Sequence, residues 1–163
     1  MIKIIYFCMK NSKHIFSRFF NSVSSSYGLS ELAQYTAVFY FNMRTAHFMT
    51  TGDTFLELHE YAQELYEQGE EYYDDLVETA LSFNEHPVAM YVTPGDWNPE
   101  AMDYDRTASN TISLMLRSVQ RLYDCLESIT KDVYPSFVYS KIDSMLEWLD
   151  KQNYKLQQMN KEI

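Results

Sequence analysis

Glycine and proline are scarce, with four of each in 163 residues. An all-β domain spends both on its turns, and collagen-like or low-complexity chains need far more, so long helices are the better fit. Cysteine is scarcer still. Cys8 and Cys125 are the only ones, and their spacing matches no metal or redox motif. A disulfide framework is excluded, and a reducing compartment, the cytoplasm, is the expected location. No apolar run reaches the ~18 residues that a membrane-spanning helix needs. The opening MIKIIYFCMK has too short an apolar run, and no clear cleavage site, for a signal peptide. Glycine-rich phosphate loops of the P-loop or dinucleotide type are absent. So is positive charge over a long stretch: no Lys or Arg occurs between Arg44 and Arg106.

What is present is unevenly distributed. Residues 1–26 hold Lys3, Lys10, Lys13 and Arg18 and no acid. The remaining nine basic residues stand against all 23 acids, so the rest of the chain carries a net charge of −14. Such a body repels nucleic acid and attracts cations. DNA is therefore a candidate partner only through residues 1–26. Ile15, Phe16, Phe19, Phe20 and Val23 form a helical apolar stripe there, beside the basic side chains. Two readings stand: a basic arm for DNA or an anionic membrane, or a short helix packed on the body. The segment, mobile or helical, also fits an artefact of start assignment. Ser22–Ser26 reads as a linker, so the expected division is an extension over 1–26 and one domain over 27–163.

Helical periodicity dominates that domain. The first helix is expected from Ser30, as its cap, to about Met49, burying Leu32, Tyr35, Phe39, Met43 and Ala46. Gly52 breaks the chain and Asp53 is the expected cap of a second helix, from about Thr54 to Phe83, closed off by Pro87. Its apolar face is Phe55, Leu58, Ala62, Leu65, Tyr72, Leu76 and Ala80. Residues 84–104, with Pro94-Gly95 and Asn98-Pro99, read as irregular, Pro99 opening a short helical turn. A tight hairpin needs fewer residues. The length allows a crossover to the far end of the bundle, as in ferritin-like folds. The third helix follows with Ala108, Ile112, Met115, Val119, Leu122, Leu126 and Ile129. The fourth, after Pro135, has Val138, Ile142, Met145, Leu149, Leu156 and Met159. The expected fold is all-α, a four-helix bundle with a long connection between its second and third helices.

Four residues carry candidate chemistry. His47 falls in the last turn of the first helix, and His59, Asp74 and Glu78 all fall on the second. Imidazole with carboxylate suits Fe(II) and other divalent metals of similar hardness. A lone histidine is more often an ordinary hydrogen-bonded residue than a ligand. Along one helix, however, His59 and Asp74 lie roughly 22 Å apart at 1.5 Å per residue. One metal can be shared only if the histidines come from one chain and the acids from another, with two copies of the second helix crossing antiparallel. The crossing point falls between Gln68 and Gly69, where glycine lets two backbones approach.

The run from Ala46 to Glu78 resembles the Dps family, the mini-ferritins of starved bacteria. His47, eleven residues, His59, fourteen residues, Asp74, three residues and Glu78 repeat the family's spacing, and Gly52, Phe55 and Glu60 stand at matching places. The chain departs from the family in having Phe48 where Trp is usual, and Gln63 where a metal-binding Asp is usual. The resemblance implies a ferritin-like bundle that forms two-fold dimers and a dodecameric homo-oligomeric shell. It implies an iron site between subunits, with His47, His59, Asp74 and Glu78 as metal-binding and catalytic residues. Gln63 is an auxiliary ligand with one neutral oxygen. Fe(II) would be oxidised there by peroxide or oxygen, and Fe(III) stored inside.

Glu60, Glu64, Glu67 and Glu71 fall within about 60° of one another on the second helix. The row repels itself and calls for compensation, most simply by cations. In mini-ferritins the matching face lines the cage and nucleates mineral; otherwise it is a solvated acidic surface. The Glu-x-x-His motif of larger ferritins is absent, since Leu56 and Arg44 occupy the positions it would need. Tyr61, Tyr66, Tyr72 and Tyr73 read as interface residues. Two rival functions remain: a Dps-like shell or DNA-binding protein without oxidation, and a structural helical protein with coincidental spacing.

Overall fold

A computed structural model describes residues 27–86 and 107–162. The expected 1–26 extension, the crossover and the Pro99 turn lie outside the described residues. Apart from one parallel bridge between Tyr27 and Ile129, the regular structure of the described residues is four helices: α1 Leu29–Met49, α2 Phe55–Ser82, α3 Ala108–Glu127 and α4 Ser136–Glu162. The described residues therefore form an all-helical four-helix bundle. Among the described residues no helix is long and apolar enough to cross a membrane.

The expected core faces are the ones buried. Leu32, Phe39, Met43 and Ala46 of α1 meet Leu58, Ala62, Leu65, Leu76 and Ala80 of α2. Ile112, Met115, Val119, Leu122 and Leu126 of α3 and Val138, Ile142, Met145, Leu149 and Leu156 of α4 complete the interior. Tyr35, Tyr72, Ala108 and Met159, also expected in the core, are half-buried against it, and Phe55 is exposed, at 42%. Trp148 of α4 sets its ring edge against Phe39 and Tyr72, tying three helices together. Gly69 does not sit on an outer face as the crossing argument required. It is buried against α1, where a Cβ would come 3.0 Å from Phe39 Cδ1. Its small size serves packing within the chain.

Helix ends correct three further expectations. Ser30 is not the cap of α1. The chain enters the helix at Gly28, whose N–H donates to Glu31 at 3.0 Å. Asp53 is not the cap of α2; Thr54 holds that position, without a capping side-chain bond. Nor does Pro87 end α2. Asn84 takes a left-handed φ of 58°, and the N–H groups of Asn84 and Glu85 return to Leu81 O and Ala80 O. This is a Schellman closure with Asn in the place glycine usually takes.

Glu85 then joins three elements at one end of the bundle. Its Oε2 accepts from Ser30 N at 3.0 Å and Ser30 Oγ at 3.1 Å, and its Oε1 accepts from the Tyr134 hydroxyl. Tyr134 Oη in turn accepts from Leu29 N at 3.2 Å. The Glu85 carboxylate and the phenol it holds thus satisfy the first two amides of α1, where the helix dipole favours negative charge. Burial, and then the bond to Glu85, push the Tyr134 phenol up to about 12. Glu85→Ala should lower unfolding stability by about 1–3 kcal/mol, the cost of leaving such donors unpaired; a urea titration with unchanged m-value reads it out.

The same contacts set the helix directions. Tyr27 N donates to Ser128 O at 2.9 Å and Thr130 N to Tyr27 O at 3.0 Å, so α3 ends where α1 begins. Glu85 shows that α2 ends there too. Farther along, Asn42 Nδ2 of α1 donates to Ser118 Oγ of α3 at 3.0 Å. α1 is therefore antiparallel to both α2 and α3, which run the same way. α4 starts at this end beside Tyr134, and Lys141 pairs with Asp75 of α2 at 2.6 Å. The directions are up, down, down, up.

Candidate metal centre

His47 lies in the last turn of α1 and His59 in the second turn of α2. The turn at 50–54, bent by Gly52 at φ 92°, folds the two helices against each other. The imidazole rings stack with centroids 3.6 Å apart and an interplanar angle of 26°. Each supports the other's backbone. His47 Nδ1 lies 2.9 Å from His59 O, and His59 Nδ1 lies 2.9 Å from His47 O. A carbonyl oxygen only accepts, so each Nδ1 carries the proton. With Nδ1 so engaged, Nε2 is the ring atom left for a metal. Binding one ring nitrogen to a backbone carbonyl is how proteins fix the tautomer and orientation of metal-ligating histidines.

The surroundings divide into a buried and an exposed side. His47 is 8% exposed, and its ring lies nearly perpendicular to that of Tyr66 with centroids 5.3 Å apart. The Arg44 guanidinium lies over the rings of Tyr40, Tyr66 and Phe48, and its Nη1 donates to Tyr40 Oη at 2.6 Å. On the open side stand Phe48, Phe55 and Leu56, at 61%, 42% and 64% exposure. Phe55 tilts over His59 at 4.8 Å, and Phe48 meets His47 at 5.1 Å. Spacing reads Tyr66 as an interface residue and Phe55 as core, and gives Arg44, Phe48 and Leu56 no part in the site. The spacing Tyr40, Arg44, Phe48 is one helical turn each time and was the available signal.

Gln63 is half-buried one turn beyond His59, and its Nε2 donates to Glu67 Oε1 at 2.7 Å. That leaves its amide oxygen as the end a cation can use. Asp74 and Glu78 are both exposed on the far half of α2. Because α2 is one continuous helix, they stay roughly 22 Å or more from His59 along its axis. Among the described residues no group of three or more His, Cys, Asp or Glu side chains gathers as a metal site within one chain. The single chain brings the two histidines together and leaves the two acids apart from them.

Glu60, Glu64, Glu67 and Glu71 are all exposed. Part of their expected compensation is internal: besides the Gln63 bond to Glu67, Gln68 Nε2 donates to Glu71 Oε2 at 2.9 Å. The tyrosines of α2 pack on the chain's own core. Tyr61 is buried and donates to Gln152 Oε1 at 2.8 Å, while Tyr66, Tyr72 and Tyr73 pack on the core half-buried. Burial, and then Glu64, raise the Tyr61 phenol. Cys125 is buried, and burial lifts its thiol to about 12, which holds it in the unreactive protonated form.

No protein-family model, no curated protein and no solved structure matches this chain.

Proposed function

We propose that this chain is a Dps-like mini-ferritin. It binds Fe(II) between two-fold-related subunits, oxidises it with peroxide or dioxygen and holds Fe(III) inside an oligomeric shell. The observation that carries the reading is the reciprocal pair of His47 and His59. Two imidazoles locked as Nδ1–H tautomers are costly to arrange by chance and are suited to a borderline cation. They lack only acidic ligands, and Asp74 and Glu78 stand exposed at the other end of the same helix. A second copy of α2, crossing antiparallel, supplies them. The apolar rim of Phe48, Phe55 and Leu56 is what such a partner would cover.

The directions of the helices support the ferritin-like form of the bundle. α2 and α3 run the same way, the order of directions expected of bundles with one long crossover. The row of exposed glutamates on α2 fits the face that would meet stored iron.

Gln63 favours a second reading, a shell or DNA-binding protein in which oxidation is lost. It offers a neutral oxygen where the resemblance expects a carboxylate. The two readings part on one variant. Gln63→Asp places a negative charge near the histidines, worth ~2 kcal/mol toward a divalent cation about 4 Å away even at the dielectric of water. Fe(II) affinity, read by anaerobic titration calorimetry, should therefore rise at least about tenfold. Oxidation, followed by absorbance of the Fe(III) product, should quicken with it. Unchanged binding would leave the non-oxidising shell as the better reading.

A further inference from the structure

A groove of about 330 Å³ lies at the end of the bundle where α3 finishes and α4 starts. Leu126 and Ile129 from the α3 side, and Ile142 and Leu146 from α4, give it an apolar floor. Its rim is charged and exposed: Glu127, Asp132 and Asp143 against the single cation Lys131. An apolar slot with an acidic rim fits a segment that is apolar on one side and basic on the other.

We propose that residues 10–23 of this chain dock in that groove. Three observations converge. The first is the tether. Tyr27 is bridged to Ile129 and hydrogen-bonded to Ser128 and Thr130, beside the groove wall. At ~3.6 Å per residue, Val23 stays within about 14 Å of Tyr27 whatever path Ser24–Ser26 take. The second is pattern. Phe16, Phe19, Phe20 and Val23 recur at helical spacing over seven positions, a rise of about 10 Å. The groove wall from Tyr139 to Leu146 is the same number of positions of α4, again about 10 Å. The third is charge. Lys10, Lys13 and Arg18 accompany the stripe with no acid among them, facing a rim with an excess of two negative charges. The volume accepts aromatic side chains from a docked segment. This docking stands apart from the iron reading, since none of its residues belongs to the metal centre.

Zero-length carbodiimide coupling on the full chain tests it, because the reagent joins a lysine to a carboxylate only where they touch. Equal amounts of ¹⁴N- and ¹⁵N-labelled protein, mixed before coupling and digested for mass spectrometry, separate links within a chain from links between chains. Amides from Lys10 or Lys13 to Glu127, Asp132 or Asp143, within one chain, are expected. Phe16→Ser with Phe20→Ser changes no residue of the four helices and should leave their circular dichroism unchanged. It should cut the yield of those links, and speed tryptic cleavage after Arg18, by about tenfold, since cleavage follows the open population. Links absent, or scattered over acids of α2, would overturn the proposal. So would links found only between isotopically different chains, which would give the groove to a second copy. Links insensitive to the phenylalanine change would reduce the contact to charge alone and overturn the docking as well.

Discussion

Two inactive variants of this protein should regain iron oxidation when assembled together. One lacks the imidazoles, through His47→Ala with His59→Ala. The other lacks the acids, through Asp74→Asn with Glu78→Gln. Each alone should fall to the background rate of Fe(II) autoxidation. A two-fold pair with one chain of each kind has one site with both histidines and both acids, and one site with neither. Random mixing makes half the pairs mixed, so recovery should reach about a quarter of the wild-type rate. Losing the reciprocal imidazole bonds costs about 1–2 kcal/mol, which a domain of ordinary stability survives. Helical circular dichroism of each parent checks that. Mixed pairs verified by mass, with no recovery while wild-type protein is active, would remove the intersubunit site. Recovery in chains held monomeric would remove it too, because the length of α2 forbids a complete site within one chain.

Much of the fold was legible because it rests on a local, repeated signal. Apolar residues three and four apart define one face of each helix, and the buried residues of all four helices follow that pattern with few exceptions. Those exceptions come from contacts between elements that are distant in sequence. Ser30 reads as a cap by residue type, yet the chain turns into α1 at Gly28 because Glu31 reaches back and Glu85 arrives from α2. Asn84 ends α2 three residues before Pro87, through a left-handed φ that spacing does not announce. Gly69 reads as a point of close approach and is one, but to Phe39 of its own chain.

The candidate site was legible to a different depth. Spacing alone placed His47 and His59 on adjacent helix ends. It did not show that each ring's Nδ1 holds the other's carbonyl, since that depends on the register of α1 against α2. The separation of Asp74 from the histidines follows from helix rise, and so was available before any coordinates. The rim of Phe48, Phe55 and Leu56 was not. Phe55 continues the apolar period of α2 and reads as core, yet it lies just beyond the turn, where α1 has ended, and among the described residues it stays 42% exposed.

That rim yields the sharpest test of assembly. Phe48→Asp with Leu56→Asp should leave a folded chain that no longer pairs. Both side chains are more than half exposed in the single chain, at 61% and 64%, so their removal empties no core. Arg44 keeps its stacking on Tyr40 and Tyr66. An isologous contact uses the same patch on both copies, so each substitution counts twice. Even about 1 kcal/mol of apolar burial lost per side chain amounts to ~4 kcal/mol per pair, or nearly a thousandfold in dimer Kd. Four carboxylates without partners add a further penalty if the surfaces still try to close. Sedimentation velocity should therefore show the proposed wild-type assembly replaced by a monomer of unchanged helicity, with the proposed iron oxidation lost although all four proposed ligands remain. A variant that still assembles and oxidises iron would place the two-fold contact on another face. A wild-type chain that is itself a stable monomer would remove the shell and the shared site together.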